Sequence, residues 1–417
     1  MMSDRAVIGV IADDLTGGSD IAGILTRAGA RTRLYAGLPV TAAAPGADAL
    51  VIALKSRAAP VAQAMDQSLR ALAWLRAAGV QQIVFKVCST FDSTPQGNIG
   101  PVALALLDAL GAAGAAVCPA FPANGRTLYM GHLFVGDRLL SESGMQHHPL
   151  TPMTDPDLRR WLSRQTGGPV GHLPRAELAQ AGAGLARRMA LGERLIICDA
   201  ITDADLMALA QGLAGHALVV GGSAIAMGLP AHFGIRPTGA GRLHRPAAPG
   251  CVLAGSCSAA TLAQVASHAQ GHPVLQILPQ DIVGDAEATL IRAAAFLAAR
   301  RGQQPLVAST APPDQVAAAQ GLHGRDRLAA QYDRFFAALA HGAPGMGYRA
   351  LVVAGGETSG AVAQALGPQP YDIGDEVTPG VPTLYPVGGQ GGLVLKSGNF
   401  GGPDFFVRAL AALEAGR

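Results

Sequence analysis

The chain has 417 residues, more than the ~250–300 at which a single core usually splits, so two domains are expected. Hydrophobic residues make up 49% and charged residues 14%, which excludes a disordered chain; a formal charge of +2 and 5% aromatic content give no sign of a nucleic-acid surface. The Ala-rich stretches are too short for a membrane span of ~20 residues, no cleavable apolar leader is evident, and the five cysteines are scattered without a CxxC, so a cytoplasmic protein with neither membrane nor nucleic-acid partners is expected.

Short apolar runs at 7–12, 49–54, 82–85, 115–118 and 195–198 read as buried strands. Helical patterns at 60–78, 100–113 and 175–191 alternate with them, which argues an α/β fold with a mainly parallel sheet flanked by helices. Residues 124–171 break the alternation. They are rich in Pro, Gly, His and Met and read as a long functional excursion rather than core. The stretch 239–250 has Gly, Pro and charge but no apolar run, and marks a boundary between domains at 1–240 and 251–417. A second α/β series follows, with strands at 252–254, 274–277, 305–308, 350–354 and 393–395. Residues 311–328 read as a surface loop and a helix start.

Only three lysines, Lys55, Lys86 and Lys396, stand among 31 basic side chains, and each follows an apolar run. Ligand groups of open α/β sheets gather at strand ends, and an ammonium acts there as a point charge on phosphate or carboxylate. In the second half three strand ends carry small polar residues. They are Gly255-Ser256-Cys257-Ser258, then Gly355-Gly356-Glu357-Thr358-Ser359-Gly360, then Lys396-Ser397-Gly398 running on to Gly401. Glycines let backbone approach an anion, and helix N-termini offer unpaired N–H groups. Tight turns with Ser or Thr N-caps are the bland alternative for any one such loop. Three in one domain favour a polyphosphate cradle, although no Walker loop is present.

In the first half Asp13 and Asp14 end the first strand, where they could bind hydroxyls, take a proton or hold Mg²⁺; helix-dipole pairing is the structural alternative. Lys86, Ser89, Thr90 and Asp92 lie in a dense polar segment suited to a small hydroxylated acid, whose carboxylate Arg57 and Arg126 could clamp. His132, His147 and His148 lie in the excursion; neighbouring His side chains diverge, so metal ligation is not expected there, and the metal ligands are unassigned.

The segments IADDLTGGSD, KVCSTFDSTPQGNIGP, CPAFPANGRTLYMGHLFVG, GGETSG and LVLKSGNFGGPDFF together resemble the four-carbon acid sugar kinases over nearly the whole chain. Within that family, STFDSTPQGNIGP and LLSESGMQHHPLTPM resemble the 3-oxo-tetronate branch, whereas threonate and erythronate kinases typically read DSTLRGN. The resemblance implies an acid-sugar-binding N-terminal domain, a nucleotide-binding C-terminal domain and a ligand cleft between them. It implies ATP and Mg²⁺ as cofactors and a four-carbon acid sugar as the small-molecule partner; self-association stays open. Asp13, Asp14, Arg57 and the 86–92 segment match the sugar side, and Ser256, Ser258, the 355–360 loop and 397–401 match the nucleotide side. Phosphoryl transfer to a C4 hydroxyl is the expected reaction, with Lys86 or Arg57 on the substrate carboxylate and Asp14, then Asp92, as proton acceptor. A dinucleotide dehydrogenase would want GxGxxG where DDLTGGSD stands. A non-catalytic acid sensor would need no phosphate cradle.

Overall fold

A computed structural model describes residues 6–148, 150–237, 248–311, 313–367 and 369–414. The chain forms two compact units, Met1–Ala240 and Gly241–Arg417. The boundary expected at 239–250 falls mostly outside the described residues.

The first unit carries β1 (Ile8–Ala12), β2 (Thr32–Ala36), β3 (Ala49–Ala53), β4 (Gln82–Lys86), β5 (Ala115–Cys118), the short strands β6 (Arg126–Tyr129), β7 (His132–Val135) and β8 (Arg138–Leu139), then β9 (Gly171–Leu173), β10 (Leu195–Cys198) and β11 (Leu218–Gly221). Its helices are α1 (Leu15–Arg27), α2 (Val61–Ala77), α3 (Ile99–Leu110), α4 (Leu158–Thr166), α5 (Ala181–Ala190) and α6 (Asp203–Gly212). The main sheet runs β2-β3-β1-β4-β11-β5-β10-β9, and its pairings are parallel. Every residue of β1, β3 and β4 is buried, as parallel strands covered on both faces require. The strand β2 was not expected; Thr32 and Arg33 at its start interrupt the apolar run that marks its neighbours.

The excursion at 124–171 is more structured than its composition implies. Strands β6, β7 and β8 make a small antiparallel sheet, and α4 follows. Leu128, Leu133, Leu140, Met153 and Trp161 are buried, so this segment has a core of its own. The expectation that it lies outside the core is corrected accordingly.

The second unit carries β12 (Gly250–Ala254), β13 (Val274–Gln276), β14 (Leu306–Ala308), β15 (Ala350–Ala354), β16 (Pro370–Thr378), β17 (Val381–Pro386) and β18 (Gly392–Lys396). Its helices are α7 (Ala259–His268), α8 (Pro279–Gly284), α9 (Ala286–Ala298), α10 (Pro313–His323), α11 (Arg325–Gly342), α12 (Gly356–Leu366) and α13 (Phe405–Glu414). Strand order is β13-β14-β12-β15-β18-β17-β16, parallel up to β18 and antiparallel beyond it. Val252, Val352 and Val394 from the sheet pack with Phe405, Phe406 and Leu410 of α13. Burying each phenyl ring contributes about 1.5–3 kcal/mol.

The two units share one winding. In each, the first four strands of the main sheet stand in the spatial order second, third, first, fourth. The order in which strands are added therefore reverses between β1 and β4, and again between β12 and β15. No sequence repeat announces this, because the shared feature is connectivity rather than residue identity. Among the described residues no helix is long and apolar enough to cross a membrane.

Candidate active site

Crevices at the carboxyl ends of strands, where strand order reverses, are the usual ligand sites of open α/β sheets. In the first unit that place lies between β1 and β4, whose last residues Ala12 and Lys86 are register partners. Asp13 and Asp14 follow β1 directly. Asp13 donates its N–H to the Lys86 carbonyl at 3.1 Å, and its own carbonyl accepts from the N–H groups of Ser56 and Arg57 at 3.0 and 3.1 Å. Asn98 steadies the same turn by donating to the carbonyls of Ser56 and Ala59, each at 2.8 Å.

The charges here are closely matched. Arg57 donates from Nε to Asp13 Oδ2 at 2.9 Å and from Nη2 to Asp13 Oδ1 at 2.8 Å, and Nη2 also lies 2.8 Å from Asp14 Oδ1. Asp14 is the N-cap of α1: Gly17 N–H donates to its Oδ1 at 2.9 Å, and the Thr16 hydroxyl donates to Oδ2 at 2.7 Å. Burial pushes the Asp13 carboxyl up against the pull of Arg57. Burial would raise Asp14 too, but the Arg57 and Lys86 charges hold it below the usual carboxylate value. The two carboxylates outweigh burial at Arg57 and hold its guanidinium charged. Lys86 is 3% exposed, and its Nζ donates to the Val87 carbonyl at 2.8 Å. That ammonium also faces the first turn of α1, since a Cβ on Gly17 would sit 2.6 Å from Nζ.

The segment after β4 is held in an unusual shape. Phe91 is fully buried at φ +56°, a left-handed conformation that costs a bulky L-residue of order 1–3 kcal/mol. Ser93 donates to the Phe91 carbonyl at 2.9 Å, and Trp161 Nε1 and Gln165 Nε2 each donate to Ser93 Oγ at 2.9 Å. The strain is thus held by α4. Within the loop the Thr90 hydroxyl donates to Asp92 Oδ1 at 2.6 Å and lies 3.0 Å from Cys88 Sγ. Burial pushes the Cys88 thiol up to about 11, so it is not a thiolate nucleophile. Ser89 is half-buried beside them. Arg126 stands apart: it begins β6, its Nη1 donates to the Asn124 carbonyl, and it shares no bond with the Asp13 cluster among the described residues.

The second unit's reversal point joins the three expected loops. The Gly255 and Ser256 N–H groups both donate to the Ala354 carbonyl, at 2.9 and 3.1 Å, and Gly355 N–H donates to the Lys396 carbonyl at 2.9 Å. A Cβ on Gly255 would stand 2.1 Å from Thr358 Oγ1, and one on Gly398 would stand 2.4 Å from Ser256 Oγ, so a larger residue at either place would have to displace that hydroxyl. Ser258 caps α7. Helix α12 begins at Gly356, after Gly355, with no side-chain cap, which leaves its N-terminal N–H groups available. Glu357 is exposed on that turn, Thr358 is buried against Gly255, and Ser359 is buried with its Oγ unpartnered. Gly401 is a turn residue at φ +82°, its carbonyl held by Gln264. Lys396 points inward: it is 0% exposed, and burial lowers its pKa to about 8.

One element escaped the sequence. A cavity of about 590 Å³ opens from Gly255, Glu357 and Thr358 onto Ile277, Leu278, Leu328 and Tyr332. Its outer wall is α10 and α11, in the stretch expected to be a surface loop and helix start. The alternation of apolar and polar residues in α10 is weak, because one face borders a cavity instead of packed core.

Residues 8–229 match a family model described as the sugar-binding N-terminal domain, and residues 251–406 match one described as the nucleotide-binding C-terminal domain. The chain belongs to the four-carbon acid sugar kinase family. A 3-oxo-tetronate kinase from Cupriavidus necator is 49% identical over 427 residues, covering 99% of this chain and 98% of that relative. One of the same description from Burkholderia multivorans is 47% identical over 422 residues, with 99% and 98% covered. A crystal structure of a Haemophilus influenzae protein, 40% identical, superposes with a TM-score of 0.80 over 96% of this chain and 98% of its own. In terms of this family, the Asp13–Lys86 crevice lies inside the sugar-binding match, and the glycine cradle and cavity lie inside the nucleotide-binding match.

Proposed function

We propose that the chain is an ATP-dependent kinase that phosphorylates the C4 hydroxyl of a 3-oxo-tetronate. The observation that carries the reading is the pairing, in the second unit, of a glycine and serine cradle with an apolar cavity large enough for a nucleoside. It is supported by relatives described as 3-oxo-tetronate kinases that match end to end. In this reading residues 1–240 bind the acid sugar and 251–417 bind the nucleotide. The phosphates lie against Ser256, Ser258, Gly355, Gly356, Thr358, Ser359, Gly398 and Gly401, and the base lies among Ile277, Leu278 and Tyr332.

Lys86 is the carboxylate anchor, because its ammonium makes one bond to a backbone carbonyl and has two further donors. Arg57 has its fork committed to Asp13, so it orders the crevice and offers the substrate at most its remaining Nη1. Ser89, Thr90 and Asp13 complete the substrate pocket in this reading, and Arg126, which stands apart from them in β6, is kept as a further substrate contact. The sequence alone placed Asp14 ahead of Asp92 as proton acceptor. Both Asp14 oxygens accept from protein donors, whereas Asp92 Oδ2 accepts from none among the described residues, so Asp92 takes the proton in our reading. Phosphoryl transfer asks mainly for alignment and charge neutralisation. Mg²⁺ would supply part of that neutralisation when bound with ATP. Glu357, in the first turn of α12, would be the carboxylate nearest that ion. The five cysteines are free thiols, in keeping with a cytoplasmic enzyme.

The test is a coupled ADP-release assay with purified protein across four-carbon sugar acids and their 3-oxo forms. Turnover should be greatest with a 3-oxo-tetronate. Preference for threonate or erythronate would reassign the substrate, and ATP binding without turnover on any of them would favour a sensor.

A further inference from the structure

Lys396 ends β18 with its ammonium turned into the protein. Nζ donates to the Gly398 carbonyl at 2.9 Å, to the Ser397 carbonyl at 3.1 Å and to Thr261 Oγ1 at 3.1 Å. The Gly398 carbonyl also accepts from Ser258 Oγ at 2.6 Å and from Thr261 Oγ1 at 2.9 Å. A carbonyl oxygen has two lone pairs, so three donors converging on it fix its direction more firmly than a turn alone could.

That carbonyl belongs to a sensitive peptide. Residues 397–400 form a turn in which Phe400 N–H donates to the Ser397 carbonyl at 3.3 Å. The peptide joining Gly398 to Asn399 is the central one, whose orientation reverses between type I and type II turns. Asn399 does not have positive φ, as type I requires. The peptide is trans, so a carbonyl turned inward sends the Asn399 N–H the opposite way. Asn399 is exposed, and its N–H donates to no acceptor among the described residues.

We infer that Lys396 is a positioning residue for the nucleotide: together with Thr261 and Ser258 it locks the Gly398 carbonyl inward and so aims the Asn399 N–H at a phosphate oxygen. Its ammonium never touches the nucleotide. This rests on the nucleotide reading above and adds to it a specific donor and the group that orients it. Gln264 assists by donating to the carbonyls of Phe400, Gly401 and Gly402 at 3.0, 3.0 and 3.1 Å, which fixes the far side of the turn.

The chain has three asparagines, Asn98, Asn124 and Asn399, so selective ¹⁵N-asparagine labelling gives three backbone amide signals. Asn399→Ser assigns the relevant one. In the wild type, MgADP should shift the Asn399 amide while adenosine leaves it nearly unmoved. Lys396→Met should weaken ADP binding by roughly ten- to a hundredfold, the range for losing a charge-assisted bond. It should abolish the Asn399 shift at saturating ADP and leave adenosine affinity unchanged. Should Lys396→Met fail to fold, Thr261→Val removes a donor from the same carbonyl without removing the charge, and it should reproduce the effect in weaker form. The inference is overturned if ADP leaves the Asn399 signal in place, or if adenosine and ADP weaken in equal proportion. It is also overturned if Thr261→Val leaves ADP binding intact while Lys396→Met abolishes it, which would make the lysine a direct phosphate ligand. A wild type that binds neither ADP nor ATP would overturn the nucleotide reading itself.

Discussion

Replacing Arg57 by Met tests the charge arrangement of the first crevice most directly. The change keeps most of the side-chain volume and removes both bonds to Asp13 and the contact with Asp14. The Asp13 side chain is 6% exposed and that of Arg57 24%, so water cannot replace the guanidinium. Breaking a buried pair from one side costs about 3–5 kcal/mol, because the remaining charge is left without compensation. At about 2–4 °C per kcal/mol for a unit of this size, the first unit should melt roughly 6–20 °C lower. The deficit should depend on pH. Without Arg57 the Asp13 carboxyl rises further above its ordinary 3.8, so the folded state binds a proton that the unfolded state does not. Stability then falls as pH rises from the unfolded value through the raised folded one. The loss in Arg57→Met should therefore be larger at pH 8 than at pH 5, and Asp13→Asn in the same chain should restore most of it. Differential scanning calorimetry at both pH values reads this. A melting temperature within about 2 °C of wild type, or a deficit unchanged by pH, would refute the argument.

The roles of the two carboxylates separate by kinetics: Asp92→Asn should slow single-turnover phosphoryl transfer by ~10²–10⁴, whereas Asp14→Asn should act mainly on stability and substrate KM. Transfer rates near wild type in Asp92→Asn at saturating substrate would remove it as proton acceptor. Lys86→Met should raise the KM for the acid sugar by tenfold or more, in line with ~1.5–3 kcal/mol for a charge-assisted bond, with KM for ATP unchanged; the opposite split would reassign the crevice. Gly255→Ala would place a methyl group 2.1 Å from Thr358 Oγ1 and displace that side chain in the first turn of α12. ATP affinity measured by titration calorimetry should fall while the first unit's melting transition stays in place.

The strand ends were legible because buried parallel strands read as unbroken apolar runs. Asp13, Asp14, Ser256 and Gly355 stand just beyond strands, and Lys86 stands at the end of one, as their sequence context implied. What the sequence hid were partnerships across distance. Arg57 could be recognised as a carboxylate binder, but not that Asp13, 44 positions away, would occupy its fork. Lys396 carried the same strand-end signature as Lys86, yet its ammonium turns inward, since direction depends on acceptors such as Thr261 supplied by another helix. The cavity wall at α10 was missed for a related reason: a helix that faces empty space has no core to impose an apolar stripe.

The common winding of the two units has a consequence for tolerance to mutation. Connectivity gives each unit a reversal of strand order at the same topological place, but the recognition groups proposed there differ in kind. Under the proposed function the first crevice would work through side chains, so each of Asp13, Arg57 and Lys86 would be a separate point of failure. In the second, much of the proposed phosphate contact would be backbone N–H, which among substitutions only proline deletes. Its weak points would instead be positions where a methyl group would displace neighbouring hydroxyl side chains, such as Gly255 against Thr358 and Gly398 against Ser256. A saturation scan should therefore show charge intolerance in one half of the chain and size intolerance in the other, from a single architecture.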